Sequence, residues 1–250
     1  MSAARPAIGR RAFLAAGALA VVAACGSGDD TSGAPTSTAP PASTGPASFV
    51  DHVGTTRPRV ALTFHTDGDV ALAAEMLDVL AAREVVMTAF VVGEWLEANP
   101  SWGRRLVDAG HEVANHTYTH PSFLSLPPLG MIDEVLRARD VLERDAGVPG
   151  TLFRPSGTDD GTAPPPPGVL EIAARAGYPT VLGFDVDPFD YEDPGADAVA
   201  GRTLAAVAPG AIVSLHFGHA GTVAALPAIL DGLDGRGLRP VTASALLRSA

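Results

Sequence analysis

Five short stretches hold residues whose types and spacing could do chemistry. In "VALTFHTDGD", Val60 to Asp69, a β-branched and aromatic run stops at His65, Thr66 and an Asp-Gly-Asp turn. In "NHTYTH", His116 and His120 stand four apart, so a helical turn would bring both imidazoles to one side, where they could grip one ion. A carboxylate from another strand end would complete a site of two His and one carboxylate with positions open for water and substrate, and Asp67 is the best-placed donor. "FRPS" sets Arg154 after a short apolar run, where it could orient a carboxylate or bind a sugar oxygen. "FDVDPFDY" supplies Asp185, Asp187 and Asp190, and "SLHFGH" supplies His216 and His219. A carboxylate beside an imidazole fixes its tautomer and raises its pKa, which suits a His that gives a proton to a leaving group; the expected pair is Asp187 with His216. Each stretch also has an ordinary structural reading: capping or core histidines, a turn-rich acidic loop, an Arg in a surface ion pair.

The elements that must position these groups alternate in type. Strands are expected at Arg59–Phe64, Val85–Val92, Glu112–Ala114, Thr151–Phe153, Thr180–Phe184, Ala211–Leu215 and Leu238–Val241, each short and apolar. Between them the pattern predicts helices over Val70–Ala82, Ser101–Ala109, Met131–Ala146, Val169–Ala176, Asp197–Val207 and Val223–Gly235, several closed by a glycine. Near-continuous apolar strands in strict alternation with helices imply an α/β protein with a parallel sheet covered by helices, either a closed barrel or an open doubly wound sheet. No G-x-G-x-x-G follows the first strand, which weakens a dinucleotide-binding reading. In a barrel, active residues belong at the C-terminal ends of strands. Five of the seven expected strands end at ionisable groups, at His65 and Asp67, at His116, at Arg154, at Asp185 and Asp187, and at His216, so a shared site explains the pattern better than chance does.

At 250 residues and 46% hydrophobic content the chain suffices for one substantial domain. The formal net charge of −11 argues against nucleic acid as a partner, since phosphate binding needs the opposite sign. All 17 basic residues are Arg, a coding bias and not a functional signal. The first 24 residues carry Arg10-Arg11 and an apolar stretch from Ala12 to Ala24, shorter than the roughly 20 residues of a spanning helix and laid out as a signal peptide. Arg10-Arg11-x-Phe13-Leu14 resembles a twin-arginine export signal, and Val22-Ala23-Ala24-Cys25 resembles a bacterial lipobox, in which the cysteine is lipidated and becomes the new N-terminus. Cys25 is the only cysteine, so no intramolecular disulfide can form. The small, polar and Pro-rich run behind it reads as a flexible tether. The expected organisation is therefore a signal peptide over 1–24, a lipidated Cys25 and linker over 25–56, and a folded domain over 57–250.

From Arg59 to Leu247 the chain resembles the polysaccharide deacetylases with a NodB-homology domain, carbohydrate esterase family 4. The similar stretches are "ALTFHTDG" for that family's T-F-D-D-G, "NHTYTHP" for H-[ST]-x-x-x-H, "FRPSG" for R-P-P-[YW], "DPFDY" for D-x-x-D-W, and "SLH" for L-x-H. The resemblance implies a distorted (β/α) barrel of about seven parallel strands that removes acetyl groups from a saccharide with a divalent metal, usually zinc. Asp67, His116 and His120 would hold the metal, and His216, oriented by Asp187, would protonate the departing amine or alcohol. Arg154 joins the catalytic set, Tyr191 and Leu215 are the substrate-binding candidates, and backbone N–H groups near Ser156 and Gly157 could hold the oxyanion.

The departures matter as much. One extra residue separates Phe64 from Asp67-Gly68, so the family's first Asp, normally the base, has no plain counterpart. His65, with a free pKa of ~6.5, can then accept the proton; the competing assignment makes Asp67 the base and Asp69 the ligand. Ser156-Gly157 lacks the usual Pro-aromatic pair, Tyr191 stands for Trp, Ser214 replaces a Leu, and the proline run of "GTAPPPPG" reshapes the pocket wall. The leading expectation is a monomeric, exported deacetylase, lipid-anchored to the outer face of the bacterial cell membrane and acting on a cell-envelope or environmental polysaccharide carrying N- or O-acetyl groups. The alternatives are a non-catalytic carbohydrate- or metal-binding descendant of that fold and a hydrolase of non-sugar amides or esters. The anchor has a direct test. Cys25→Ala should release the protein from membranes; unchanged retention together with an unchanged mass refutes lipidation.

Overall fold

The computed structural model describes residues 45–158 and 160–250, so the export signal, Cys25 and most of the linker lie outside the described residues. Strand β2, Arg59–Thr66, is buried along seven of its eight residues, as its apolar run requires when both faces of a parallel sheet are covered. It pairs with β3, Thr88–Val91, on one side and β7, Ile212–His216, on the other, while β8, Arg239–Val241, pairs with its first three residues. Continuing from β3, the ladder runs through β4, Glu112–Asn115, β5, Leu152–Phe153, and β6, Thr180–Leu182, to β1, Ser48–Val50. Every pairing is parallel. Beyond β6 the chain reaches across to β7, where Asp185 and Val186 donate to the Ile212 carbonyl and Ser214 donates to that of Val186. The result is the expected distorted (β/α) barrel.

The helices follow the predicted order. Helix α1 spans Val70–Ala82, the range expected; α3 is Ser101–Asp108, α4 Pro128–Asp145, α5 Pro167–Arg175, α6 Ala196–Ala206 and α7 Ala220–Gly235. Two short helices were not expected: α2, Gly93–Ala98, and α8, Ala243–Leu247. Each is about one turn and a half, too brief for a 3.6-residue pattern to declare itself.

Strand alternation sorts the core. Along β2, Val60, Leu62 and Phe64 pack outward against the helix layer, while Ala61 joins the inner cluster with Phe90, Ala114, Leu182 and Ile212. Ala243 and Leu246 of α8 complete that inner cluster. At the C-terminal ends of the strands the interior becomes polar, with His65 and Arg154 buried there. Among the described residues no helix is long and apolar enough to cross a membrane.

The folded region starts earlier than the composition suggested. Residues 48–50, assigned to the linker, form β1 on the edge of β6, and Ala47 and Val53 are buried. A three-residue strand behind a Pro- and Ser-rich run carries too little pattern to be seen. Beyond β1, the Val53 amide donates to the Gly210 carbonyl at 3.0 Å. Gly210 has φ +89°, and a Cβ there would lie 1.9 Å from the Val53 carbonyl oxygen. Gly210→Ala should therefore cost on the order of 1–3 kcal/mol, read as a lower urea midpoint; wild-type stability would show that this strap is not part of the folded unit.

Candidate functional site

A cavity of about 280 Å³ opens at the C-terminal ends of the strands and is lined by His65, Asp67, His116, His120, Asp187, His216 and His219 among its ionisable groups. The first of these come from β2 and the turn after it. Gly68, at φ +78°, lets the chain reverse against Gly218, whose Cα a Cβ at Gly68 would meet at 2.5 Å. Asp69 then caps α1, its Oδ1 accepting from the Ala71 amide at 2.8 Å. That cap removes Asp69 from the cavity, so the assignment of Asp69 as ligand does not hold. Asp67 does line the cavity, and its Oδ1 is buried with no hydrogen-bond partner.

His116 and His120 follow β4, but not on a helical turn as their spacing suggested. Thr117 and His120 both take left-handed backbone conformations, φ 69° and 56°. Asn115 and Glu134 hold this turn in place. Asn115 Oδ1 accepts from the Thr117 amide, and the carboxylate of Glu134, buried on α4, accepts from the amides of Tyr118 and Thr119 and from the Thr119 hydroxyl at 2.8–2.9 Å. The Nε2 atoms of His116 and His120 end 3.2 Å apart. His116 Nδ1 donates to the Arg154 carbonyl at 2.9 Å. Burial holds the pKa of His65 and His116 well below the ordinary imidazole value and lowers that of His120, so all three rings are neutral near pH 7 and carry lone pairs.

Arg154 does not face substrate. Its guanidinium is buried over the Phe90 ring and donates inward: Nε to the Leu182 carbonyl, one terminal nitrogen to that of Gly183, the other to the Thr63 hydroxyl and to His65 Nε2 at 3.0 Å. Burial pulls its pKa down to about 9, which leaves it cationic at neutral pH. Since guanidinium only donates, His65 Nε2 must accept and His65 Nδ1 must carry the proton. That proton faces His216 Nε2 at 2.8 Å, so His216 carries its own proton on Nδ1, where Asp190 Oδ1 accepts it at 2.8 Å. Both ring nitrogens of His65 and of His216 are thereby engaged. The expected base, His65, has no free lone pair, and the expected donor, His216, has no spare N–H.

The carboxylate that orients His216 is Asp190, not Asp187. Asp190 is buried, and its Oδ2 also accepts from the His216 amide and the Thr222 hydroxyl. The chain reverses through Phe189 at φ 55°, which carries Asp190 under His216 and leaves Asp187 on the cavity wall, where burial pushes its carboxyl upward. Of the substrate-binding candidates, Tyr191 is 44% exposed at the cavity, its ring edge-on to His216. Leu215 is fully buried in the outer core, because strand alternation turns Ser214 and His216 to the cavity and Leu215 away. Sequence reasoning missed Glu134, for which no local signal exists, and Thr63, whose place two residues before His65 on the same strand face could have revealed it. The proline run lines an adjoining cavity of about 290 Å³ that shares Pro155, Gly157, Thr158 and Phe184 with the first.

The sequence profile of the family described as polysaccharide deacetylase matches residues 52–181. A chitooligosaccharide deacetylase of Sinorhizobium fredii is 36% identical over 206 residues, covering 75% of this chain and 91% of its own length. The Bc1960 peptidoglycan N-acetylglucosamine deacetylase, solved with a hydroxamate, superposes with a TM-score of 0.73 at 26% identity over 81% of this chain and 94% of that one. BA3943, a family pseudoenzyme from Bacillus anthracis, superposes with a TM-score of 0.72 at 26% identity over 80% of this chain and 69% of that one.

Members of carbohydrate esterase family 4 use a divalent metal, and the donors here suit one. Among the described residues no three side chains of His, Asp or Glu close into a ready cluster. Two neutral imidazoles nevertheless converge at Nε2, and Asp67 brings an unpartnered buried oxygen to the same cavity. Imidazole and carboxylate together suit a divalent transition metal, zinc among them. Because Glu134 sets the turn that carries both histidines, Glu134→Ala should weaken zinc binding by roughly 10–100-fold with His116 and His120 intact. Competition with a chromogenic chelator measures this, and wild-type affinity would show that the turn holds without the carboxylate.

Proposed function

The chain belongs to the polysaccharide deacetylase family, and we propose that it removes acetyl groups from a glycan containing N-acetylglucosamine. The observation that carries this reading is the convergence of His116, His120 and the unpartnered Asp67 oxygen on one cavity beside the His216–Asp190 pair. The relatives are named for chitooligosaccharide and for peptidoglycan N-acetylglucosamine, which gives the substrate class. Asp67, His116 and His120 would hold the metal, which supplies Lewis acidity to the acetyl carbonyl and to the attacking water. The residues around it orient and exclude. The Arg154 carbonyl fixes the His116 ring with its Nε2 toward the cavity. Asp190 fixes His216 as a rigid wall, and the exposed Tyr191 ring offers a face for a pyranose at the mouth.

We place this activity outside the cell, on a chain tethered by lipidated Cys25, from the twin-arginine and lipobox resemblance alone.

A second reading is a binding protein of the same fold without catalysis. Two observations favour it: His65 and His216 have every ring nitrogen engaged, and one similar structure is a pseudoenzyme. The two readings part on one measurement. The zinc-loaded protein should release acetate from N-acetylchitooligosaccharides, stop after chelation and resume when zinc returns. Stoichiometric zinc with glycan binding and no acetate establishes the binding protein instead.

A further inference from the structure

Strand β7 turns two side chains into the cavity, His216 at its end and Ser214 two residues earlier, which sets Ser214 about 7 Å deeper toward the barrel interior. Ser214 is 1% exposed, and its hydroxyl opens on the cavity without a hydrogen bond to any described residue. Its register partner on β2 is Thr63, whose hydroxyl is already engaged, donating to the Val213 carbonyl at 2.6 Å and accepting from Arg154 at 3.0 Å. Of these two hydroxyls at one depth, only that of Ser214 is available. The same level is tied to the metal donors. The Arg154 nitrogen that bonds Thr63 also bonds His65 Nε2, and the His65 ring stacks on that of His116 at 4.1 Å. The cavity holds about 280 Å³, less than the ~300–1,000 Å³ of ordinary ligand pockets. One small acyl group therefore fills the space between the His116, His120 and Asp67 donors and Ser214.

An amide carbon has three substituents, and the cavity sorts them. In the deacetylase reading its oxygen goes to the metal donors. Its nitrogen, which carries the glycan, must face the mouth, where Tyr191 is exposed, since a cavity of this size cannot admit a polymer. The acyl tail is left for the floor, where Ser214, Phe184 and Pro155 are buried. Phe184 and Pro155 offer apolar surface, whereas Ser214 offers one O–H and two lone pairs. A methyl tail leaves that hydroxyl without a partner in a closed site, which weakens binding. A carboxylate tail finds no counter-charge, because no Arg lines this cavity, and an ammonium tail would lie beside the metal cation. A neutral hydroxyl on a short tail meets both the apolar walls and the Ser214 hydroxyl.

We infer that Ser214 selects the acyl group, and that the preferred substrate carries hydroxyacyl amides, hydroxyacetyl being the smallest, over plain acetyl; the inference rests on the deacetylase reading. The reaction is otherwise the same. The water oxygen bonds to the acyl carbon, the C–N bond breaks, its electron pair and one water proton go to nitrogen, and the free amine and the hydroxy acid leave. The tail hydroxyl exchanges one hydrogen bond with Ser214 Oγ while its methylene lies on Phe184.

The test compares N-hydroxyacetyl- and N-acetylchitooligosaccharides of equal length on zinc-loaded wild type and Ser214→Ala, by amine release, together with calorimetric binding of N-hydroxyacetylglucosamine and N-acetylglucosamine. A hydroxyl on the tail alters amide reactivity and can reach the metal by itself. The decisive quantity is therefore the hydroxyacetyl-to-acetyl ratio in wild type divided by that in the variant. This quotient should be roughly 2–10 for kcat/KM and for affinity, the usual effect of one neutral hydrogen bond. Ser214→Thr, which keeps the hydroxyl, should keep the wild-type ratio. A quotient of one, with Ser214→Ala losing equally on both substrates or on neither, overturns the selecting role while leaving the deacetylase reading in place. A zinc-loaded wild type that releases no amine from either substrate overturns the deacetylase reading, and a binding quotient of one then overturns the part of Ser214 as well.

Discussion

The buried Arg154 guanidinium is the constraint on which the site depends. A cation taken out of water is costly unless its donors are met, by several kcal/mol even after relaxation. Here two strand-end carbonyls, a threonine hydroxyl, an imidazole and the face of Phe90 surround it. Meeting those donors fixes more than the arginine. It dictates which nitrogen of His65 carries a proton, hence which nitrogen of His216 does, hence that Asp190 and not a neighbour must take the last N–H. The same residue's carbonyl sets the tautomer of His116. One residue, through its guanidinium and its carbonyl, thus determines the protonation pattern of three histidines that line the cavity.

Such a chain of donors is possible because parallel strands end together. β2 and β7 run in register with His65 opposite His216, and β3 and β4 bring Phe90 and the start of the His116 turn alongside. The 4.1 Å stacking of His65 on His116, nearly parallel at 16°, is a product of that register. Burial that depresses both imidazoles also keeps them neutral, which suits lone-pair chemistry and disfavours a mobile proton in the same layer.

Much of this was legible in the sequence. The alternation of short apolar runs with helical patterns gave a parallel sheet covered by helices, closed or open, and the family resemblance pointed to the barrel. The strand ends gave His65, Asp67, His116 and His216 as cavity residues, because chain direction alone places strand termini on one face. What failed was local geometry set by distant partners. Asp187 and Asp190 are equivalent on paper; only the left-handed Phe189 and the hydroxyl of Thr222, far along the chain, decide which reaches His216. Leu215 was assigned by its neighbourhood to a motif, yet strand alternation sends it to the opposite face. Arg154 looked like a substrate ligand because its acceptors, Leu182 and Gly183, lie on another strand end.

The extra residue in the first motif has a physical reading from the same alternation. Adjacent residues on a strand point to opposite faces, whereas residues two apart share one. β2 continues through Thr66, which pairs with Val91 and turns its hydroxyl to the Val92 amide, away from the cavity. His65 and Asp67, on either side of it, both line the cavity. The insertion is therefore not slack in the loop. It leaves His65 and Asp67 on one face of the chain, and Asp67 lies against the turn at Gly68, whose carbonyl the Trp95 indole grips at 3.0 Å. With the imidazole committed to Arg154 on that shared face, the carboxylate is the one group there with an oxygen free for a metal.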